Sequence, residues 1–122
     1  MKLLENINEL KYKTDFYIFN NTYNYNSYTY LCVHPHNDKF ILALNTSDYS
    51  LKNFLITDIN DHIQHKNVLI GDYDEIAINE FKISLLKDEI KRYEDRNNYI
   101  KESRQQMLNI NDLKINNSFE LA

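Results

Sequence analysis

Residues 76–107, "IAINEFKISLLKDEIKRYEDRNNYIKESRQQM", decide the fold that the sequence predicts. This stretch contains neither Gly nor Pro, and one set of its side chains recurs in alternating steps of three and four residues. Such heptad spacing is typical of an α-helix that pairs with another helix, and it predicts a helix from about residue 73 to about residue 108. The set is called the heptad stripe below and consists of Ile76, Asn79, Ile83, Leu86, Ile90, Tyr93, Asn97, Ile100, Arg104 and Met107.

The length of the predicted helix raises the question of what covers its heptad stripe. About 35 residues at 1.5 Å each give a helix of about 50 Å, whereas a compact chain of this size is about 35 Å across. Either the helix breaks at Asn97-Asn98, or one end extends and contacts a partner. Three arrangements stay open: the stripe packs on the chain's own sheet, forms a homodimer, or docks onto a different protein. The predicted contact residues, called the central stripe below, are Ile83, Leu86, Ile90, Tyr93, Asn97 and Ile100.

Charged side chains beside the heptad stripe distinguish two orientations of a homodimer. In a parallel, in-register pair the facing side chains carry like charges: Lys82 with Lys87, Glu89 with Glu94, and Arg96 with Lys101. In an antiparallel pair centred between Ile90 and Tyr93 they carry opposite charges: Lys87 with Glu94, Glu80 with Lys101, and Glu89 with Arg96. Flanking charges select the orientation of a coiled coil more than they set its stability. An antiparallel homodimer is therefore the favoured form of self-association.

The first 71 residues predict strands and short helices. Aromatic and β-branched runs predict strands at 14–19, 28–34, 39–45 and 68–70, with antiparallel pairing because the connections between the first three are short. Short helices are predicted within 1–10 and, after the "TSD" cap at 46–48, around 51–55, and 57–67 stays open between a loop and a helical turn. Asp72 is predicted to cap the long helix in a capping box with Glu75.

These elements predict one α+β domain over residues 1–122. Its parts are the short helices and sheet (1–71), the long amphipathic helix (72–108) and a tail (109–122) that is either a short strand or disordered. The sheet is expected to have three or four mostly antiparallel strands and to be covered on one face by helices.

Composition limits the classes of function. With one Gly, the chain lacks a phosphate-binding loop, a dinucleotide fingerprint and a nucleophile elbow, which all need Gly where the backbone turns sharply. A net charge of −4 gives no general attraction to nucleic acid or anionic lipid. A single Cys, no signal-peptide core and no membrane-length apolar run predict a cytoplasmic protein, in a host cell if a phage encodes it.

The octet "YLCVHPHN" at 30–37 is the strongest candidate for chemistry. Extended backbone would place Cys32, His34 and His36 on one face, and His62 and His65 could add ligands for zinc. The spacing matches no zinc-finger pattern, and Pro35 predicts that the strand ends here. A hairpin turn is favoured, so no catalytic residue, metal or cofactor is predicted.

A cluster of tyrosines is the better functional lead. Tyr presents a rigid apolar ring with a polar tip and is common in binding patches. The predicted partner-binding tyrosines are Tyr23, Tyr25, Tyr28 and Tyr30. The alternative is cross-strand aromatic pairing on a half-buried sheet.

We therefore expect a non-enzymatic protein-binding module that acts by occluding a surface on another protein. Small, acidic, Gly-poor domains are common among phage and mobile-element accessory proteins, and an anti-CRISPR inhibitor of a host defence system is a concrete example. One alternative is a small dimeric nucleic-acid-binding regulator. A less favoured one is a metalloenzyme that uses His34, His36, His62 and His65.

Overall fold

A computed structural model describes the backbone of residues 1–121 and the side-chain surroundings of residues 1–111. The chain divides into two compact units, Met1–Lys82 and a second unit that begins at Ile83. The first unit contains a six-stranded sheet in the order β1-β6-β2-β3-β4-β5, and every neighbouring pair is antiparallel. The α+β class is therefore what the structure shows, whereas the predicted sheet of three or four strands is wrong.

The elements follow one another along the chain with short connections. The strands are β1 (Lys2–Leu3), β2 (Asp15–Phe19), β3 (Tyr25–Val33), β4 (Phe40–Asn45), β5 (Leu51–Leu55) and β6 (Val68–Ile70). A 3-10 turn (Ile7–Glu9) follows β1, α1 (Ile56–Gln64) follows β5, and α2 (Glu75–Leu121) follows β6. Between β3 and β4 the register shifts next to Leu31, which forms a bulge.

The two additional strands lie where helices were predicted. Residues 51–55 form β5, because the "TSD" segment makes a turn: Asp48 Oδ1 accepts hydrogen bonds from the Ser50 N–H at 2.9 Å and from its hydroxyl at 2.6 Å. This turn sets the register that pairs Leu44 with Leu51. Within residues 1–10 the structure has β1 and a 3-10 turn that is capped by Asn6 and Glu9. Short polar residues favour both caps and turns, and here the turns form.

Strand β2 lies inside the sheet and is buried on both faces. Phe16 and Ile18 point to one face and Tyr17 and Phe19 to the other, as strand alternation requires, and all four are buried. The first face packs against α1 through Ile59 and forms the main core, which comprises Leu4, Leu10, Phe16, Ile18, Tyr28, Ile41, Ala43, Ile59, Val68 and Ile70.

The second face of β2 is covered by the beginning of α2. Ile78 is 2% exposed, and the ring of Phe81 contacts that of Phe19 with centroids 4.7 Å apart. The prediction that helices cover one face only is therefore wrong. Tyr17 and Phe19 require a second layer because they point away from α1.

Helix α2 begins at Glu75 and is capped by Asp74, not by the predicted Asp72. Asp74 Oδ1 accepts hydrogen bonds from the N–H groups of Ile76 at 3.0 Å and Ala77 at 3.4 Å. The helix is 47 residues long and continues through Asn97-Asn98, so it does not break at the position that the sequence left open. It also includes residues 109–121, which were predicted to be a strand or disordered; Ala122 is outside the described residues.

Within the described residues, no helix is both long enough and apolar enough to cross a lipid bilayer.

Ile59→Ala tests the packing of α1 on the sheet. Ile59 is fully buried, so we expect the substitution to lower the free energy of unfolding by about 2–5 kcal/mol. Denaturant unfolding monitored by circular dichroism measures this loss. The exposed neighbour provides the control: Asn60→Ala should cost less than about 0.5 kcal/mol. Equal losses for both variants would contradict this packing of α1.

Candidate functional site

The central stripe lies on the part of α2 that forms the second unit, and most of it is exposed. Ile83 is 50% exposed, Ile90 56% and Tyr93 72%. Asn97 is also exposed, whereas Leu86 and Ile100 are partly buried. Scattered apolar side chains on a surface are normal, but a row of them at heptad spacing forms a continuous apolar strip. The second unit therefore presents an exposed apolar strip along the helix.

Charged side chains border this strip on both sides. Lys87 and Glu94 follow the stripe positions Leu86 and Tyr93, and Glu89 and Arg96 precede Ile90 and Asn97. A groove of about 370 Å³ runs beside Tyr93 and is lined by Glu89, Arg92, Tyr93 and Arg96. The Arg96 guanidinium also lies 5.4 Å from the centroid of the Tyr99 ring, within range of a cation–π contact. The border thus carries both signs of charge at fixed positions along the helix.

The first turns of α2 carry a second apolar face that the heptad analysis missed. Ile78 and Phe81 pack on the sheet, whereas Ile76 is 70% exposed and Asn79 is exposed. At 100° per residue, the face of Ile78 and Phe81 is about 160° from the heptad stripe. The spacing of Ile78, Phe81 and Leu85 in steps of three and four could have predicted this face.

The four predicted binding tyrosines do not form one patch. Tyr28 is buried in the main core, where its ring lies 5.4 Å from Phe16 and 4.8 Å from Phe54. Tyr30 packs against the same core, whereas Tyr25 lies on the opposite face of the sheet, 6.0 Å from the ring of Tyr17. Only Tyr23 of the four is exposed, at 70%. Alternation along β3 places Tyr25 on the face opposite Tyr28 and Tyr30, and aromatic contacts hold Tyr25 and Tyr28 in place.

Tyr25 contributes instead to a polar cavity in the first unit. This cavity has a volume of about 490 Å³ and is lined by Asp15, Tyr17, Tyr25, Ser27, Thr46, Ser47 and Tyr73. The pKa of Tyr17 is raised from 10.0 to about 12, mainly by burial and in addition by the nearby Asp15, Tyr25, Asp72 and Tyr73. The Tyr25 pKa is also raised, mainly by burial and then by Tyr73. The surroundings therefore disfavour negative charge on these phenols.

The histidines make local contacts in two separate places. His34 Nδ1 accepts a hydrogen bond from the His36 N–H at 3.0 Å, within the turn after β3. His62 and His65 lie at the end of α1, beside a cavity of about 580 Å³ that also includes Asp58 and Asp61. His62 Nδ1 is 3.1 Å from the Asn67 amide nitrogen, which also donates to the Phe19 carbonyl. Across the described residues, no three His, Cys, Asp or Glu side chains come together as ligands for a metal ion.

Comparison with known protein families, curated proteins and solved structures found no match for this chain.

The raised pKa of Tyr17 predicts a loss of stability at high pH. The folded state favours the neutral phenol. The contribution of Tyr17 to the free energy of unfolding is therefore complete below pH 10.0 and is lost as the pH rises through about 12. Tyr17→Phe should therefore lose less unfolding free energy than the wild type between about pH 10 and pH 12. Denaturant titrations of both proteins at each pH measure this difference. Identical losses would contradict the burial of the Tyr17 hydroxyl.

Proposed function

We propose that this chain is a non-enzymatic protein-binding module whose contact surface is the central stripe of α2. It acts by bringing this apolar strip against a matching surface on a protein partner. The expected role as an inhibitor of a host defence system stays a prediction.

The exposure of Ile83, Ile90 and Tyr93 supports this proposal most directly. Fully burying an exposed apolar side chain contributes about 1.5–3 kcal/mol. Covering several partly exposed ones at one interface therefore provides a driving force for binding. Aromatic residues such as Tyr93 often supply a large part of the binding energy at the centre of an interface. The charged border can in turn select the partner and its orientation.

Photo-crosslinking at Tyr93 tests this proposal without requiring that the partner be known. The full chain, with Tyr93 replaced by p-benzoylphenylalanine, is produced in the cells from which the sequence comes and is irradiated there. We expect a covalent adduct with a protein, and we expect the additional substitution Ile90→Asp to remove it. The same crosslinker at Asp95, an exposed position on the other side of the helix, is the control and should give no adduct. No adduct from position 93, or equal adducts from both positions, would contradict the proposal.

Ile90→Asp should abolish binding while the fold is retained. Ile90 is 56% exposed, so its replacement should change the unfolding free energy of the isolated chain by less than about 1 kcal/mol. Asn98→Asp is a matched control, because it adds the same charge at an exposed position outside the central stripe. Denaturant unfolding at low protein concentration measures both variants. A loss for Ile90→Asp as large as that expected for Ile59→Ala would identify Ile90 as a core residue and contradict the proposed contact surface.

A further inference from the structure

We propose that the partner of the central stripe is a second copy of this chain, bound antiparallel with Ile90 of one copy opposite Tyr93 of the other. This inference rests on the proposed function, because it names the partner of the same surface. It goes further in fixing the orientation and the residues that pair.

The apolar positions of the central stripe match one another when the second helix is reversed. With Ile90 opposite Tyr93, Ile83 lies opposite Ile100, and the contact spans about 27 Å of each helix. Ile90 and Tyr93 then shield each other at the centre, where both are more than half exposed in the single chain. Leu86 faces Asn97, which is the least favourable contact in this register.

Charge complementarity is the argument for the reversed orientation. An antiparallel pair places Lys87 opposite Glu94 and Glu89 opposite Arg96, and the twofold symmetry makes each contact twice. All four side chains are within the second unit and border the central stripe. The same residues in a parallel pair bring Glu89 opposite Glu94, which repel each other.

Two polar positions within the heptad stripe also distinguish the orientations. In a parallel, in-register pair Arg104 meets its own copy, so two guanidinium groups lie together at a core position. Asn97 has the opposite preference, because paired Asn residues at such a position can form hydrogen bonds in a parallel coiled coil. The two flanking pairs and Arg104 together outweigh this single amide contact, so the antiparallel form is preferred.

Substitution of Glu94 by Lys has opposite effects in the two orientations. In the antiparallel dimer, Glu94→Lys converts both Lys87–Glu94 contacts into repulsions and should weaken the dimer about tenfold. In a parallel dimer the new Lys would face Glu89 and strengthen it. Sedimentation equilibrium of the full chain over a range of concentrations gives the dissociation constants.

The reverse substitution and the double variant complete the cycle. Lys87→Glu should also weaken the antiparallel dimer about tenfold, and Lys87→Glu with Glu94→Lys should restore wild-type affinity within about threefold. Intrahelical effects cannot mimic this pattern. Lys91 lies four residues after position 87 and three before 94, so Lys87→Glu gains a helix-stabilising pair with Lys91 and Glu94→Lys loses one. A strengthened dimer for Glu94→Lys, or no restoration in the double variant, would contradict the antiparallel pairing.

Distance measurement gives a second, independent result. A spin label attached at Gln106→Cys, in a chain that also carries Cys32→Ser to remove the exposed thiol, reports the separation of the two copies. Antiparallel pairing about the midpoint between Ile90 and Tyr93 predicts about 44 Å along the helix axis, whereas parallel pairing predicts less than about 20 Å. Electron double resonance measures these distances, and a short distance would overturn the antiparallel arrangement.

The mass of the photo-crosslinked adduct separates this inference from the proposed function. An adduct of two copies supports both. An adduct with a different protein supports the contact surface but overturns the second copy as its partner. A wild-type chain that stays monomeric at every concentration would also overturn the dimer.

Discussion

The beginning of α2 carries two apolar faces, and the sheet can cover only one of them. Phe19 and its neighbours on the second face of β2 pack against Ile78 and Phe81. Because the heptad stripe is on the opposite side of the same helix, Ile76 stays 70% exposed. The packing of the sheet on Ile78 and Phe81 therefore determines which apolar side chains at the beginning of α2 stay exposed.

The heptad stripe matters more for the stability of the second unit than for that of the first unit. Beyond Leu85, the positions that continue the face of Ile78 and Phe81 are polar: Asp88, Arg92 and Asp95 are exposed. The central stripe is then the main apolar surface of this part of the helix. Because most helical stability in proteins comes from the packing of an amphipathic face, a partner along the central stripe would stabilise the helix as well as bind it.

The sequence predicted the elements whose pattern had one physical interpretation. The runs around Phe16–Phe19, Ile41–Leu44 and Val68–Ile70 are strands as expected, because β-branched and aromatic residues fill a buried sheet. Around Leu51–Leu55 the apolar positions fit either a short helix or a strand, and the "TSD" segment suits either a helix cap or a turn. This segment is a strand because it pairs with β4 across the turn at residues 46–50, and the spacing of apolar residues within 51–55 does not show that pairing.

The candidate site could also be predicted only in part, because local spacing does not show which segments pack together. The heptad spacing of the central stripe is local and could be identified from the sequence. The exposure of the central stripe could not be predicted from local spacing. It depends on the packing of the opposite face, Ile78 and Phe81, near Phe19, a residue about 60 positions earlier in the chain. The tyrosines show the converse, because the sequence predicts one patch of four rings that are close in sequence. Alternation along β3 instead places Tyr25 on the face opposite Tyr28 and Tyr30.

Hydrogen exchange of the α2 amides at different protein concentrations tests the central claim most directly. If a second chain covers the central stripe, amides of residues 83–100 should exchange rapidly in dilute protein and become protected as the concentration passes the dissociation constant. The amides of β2 provide the internal reference and should keep the same protection throughout. Protection of residues 83–100 that is strong and identical at every concentration would show that the chain covers this face by itself, and would contradict the account.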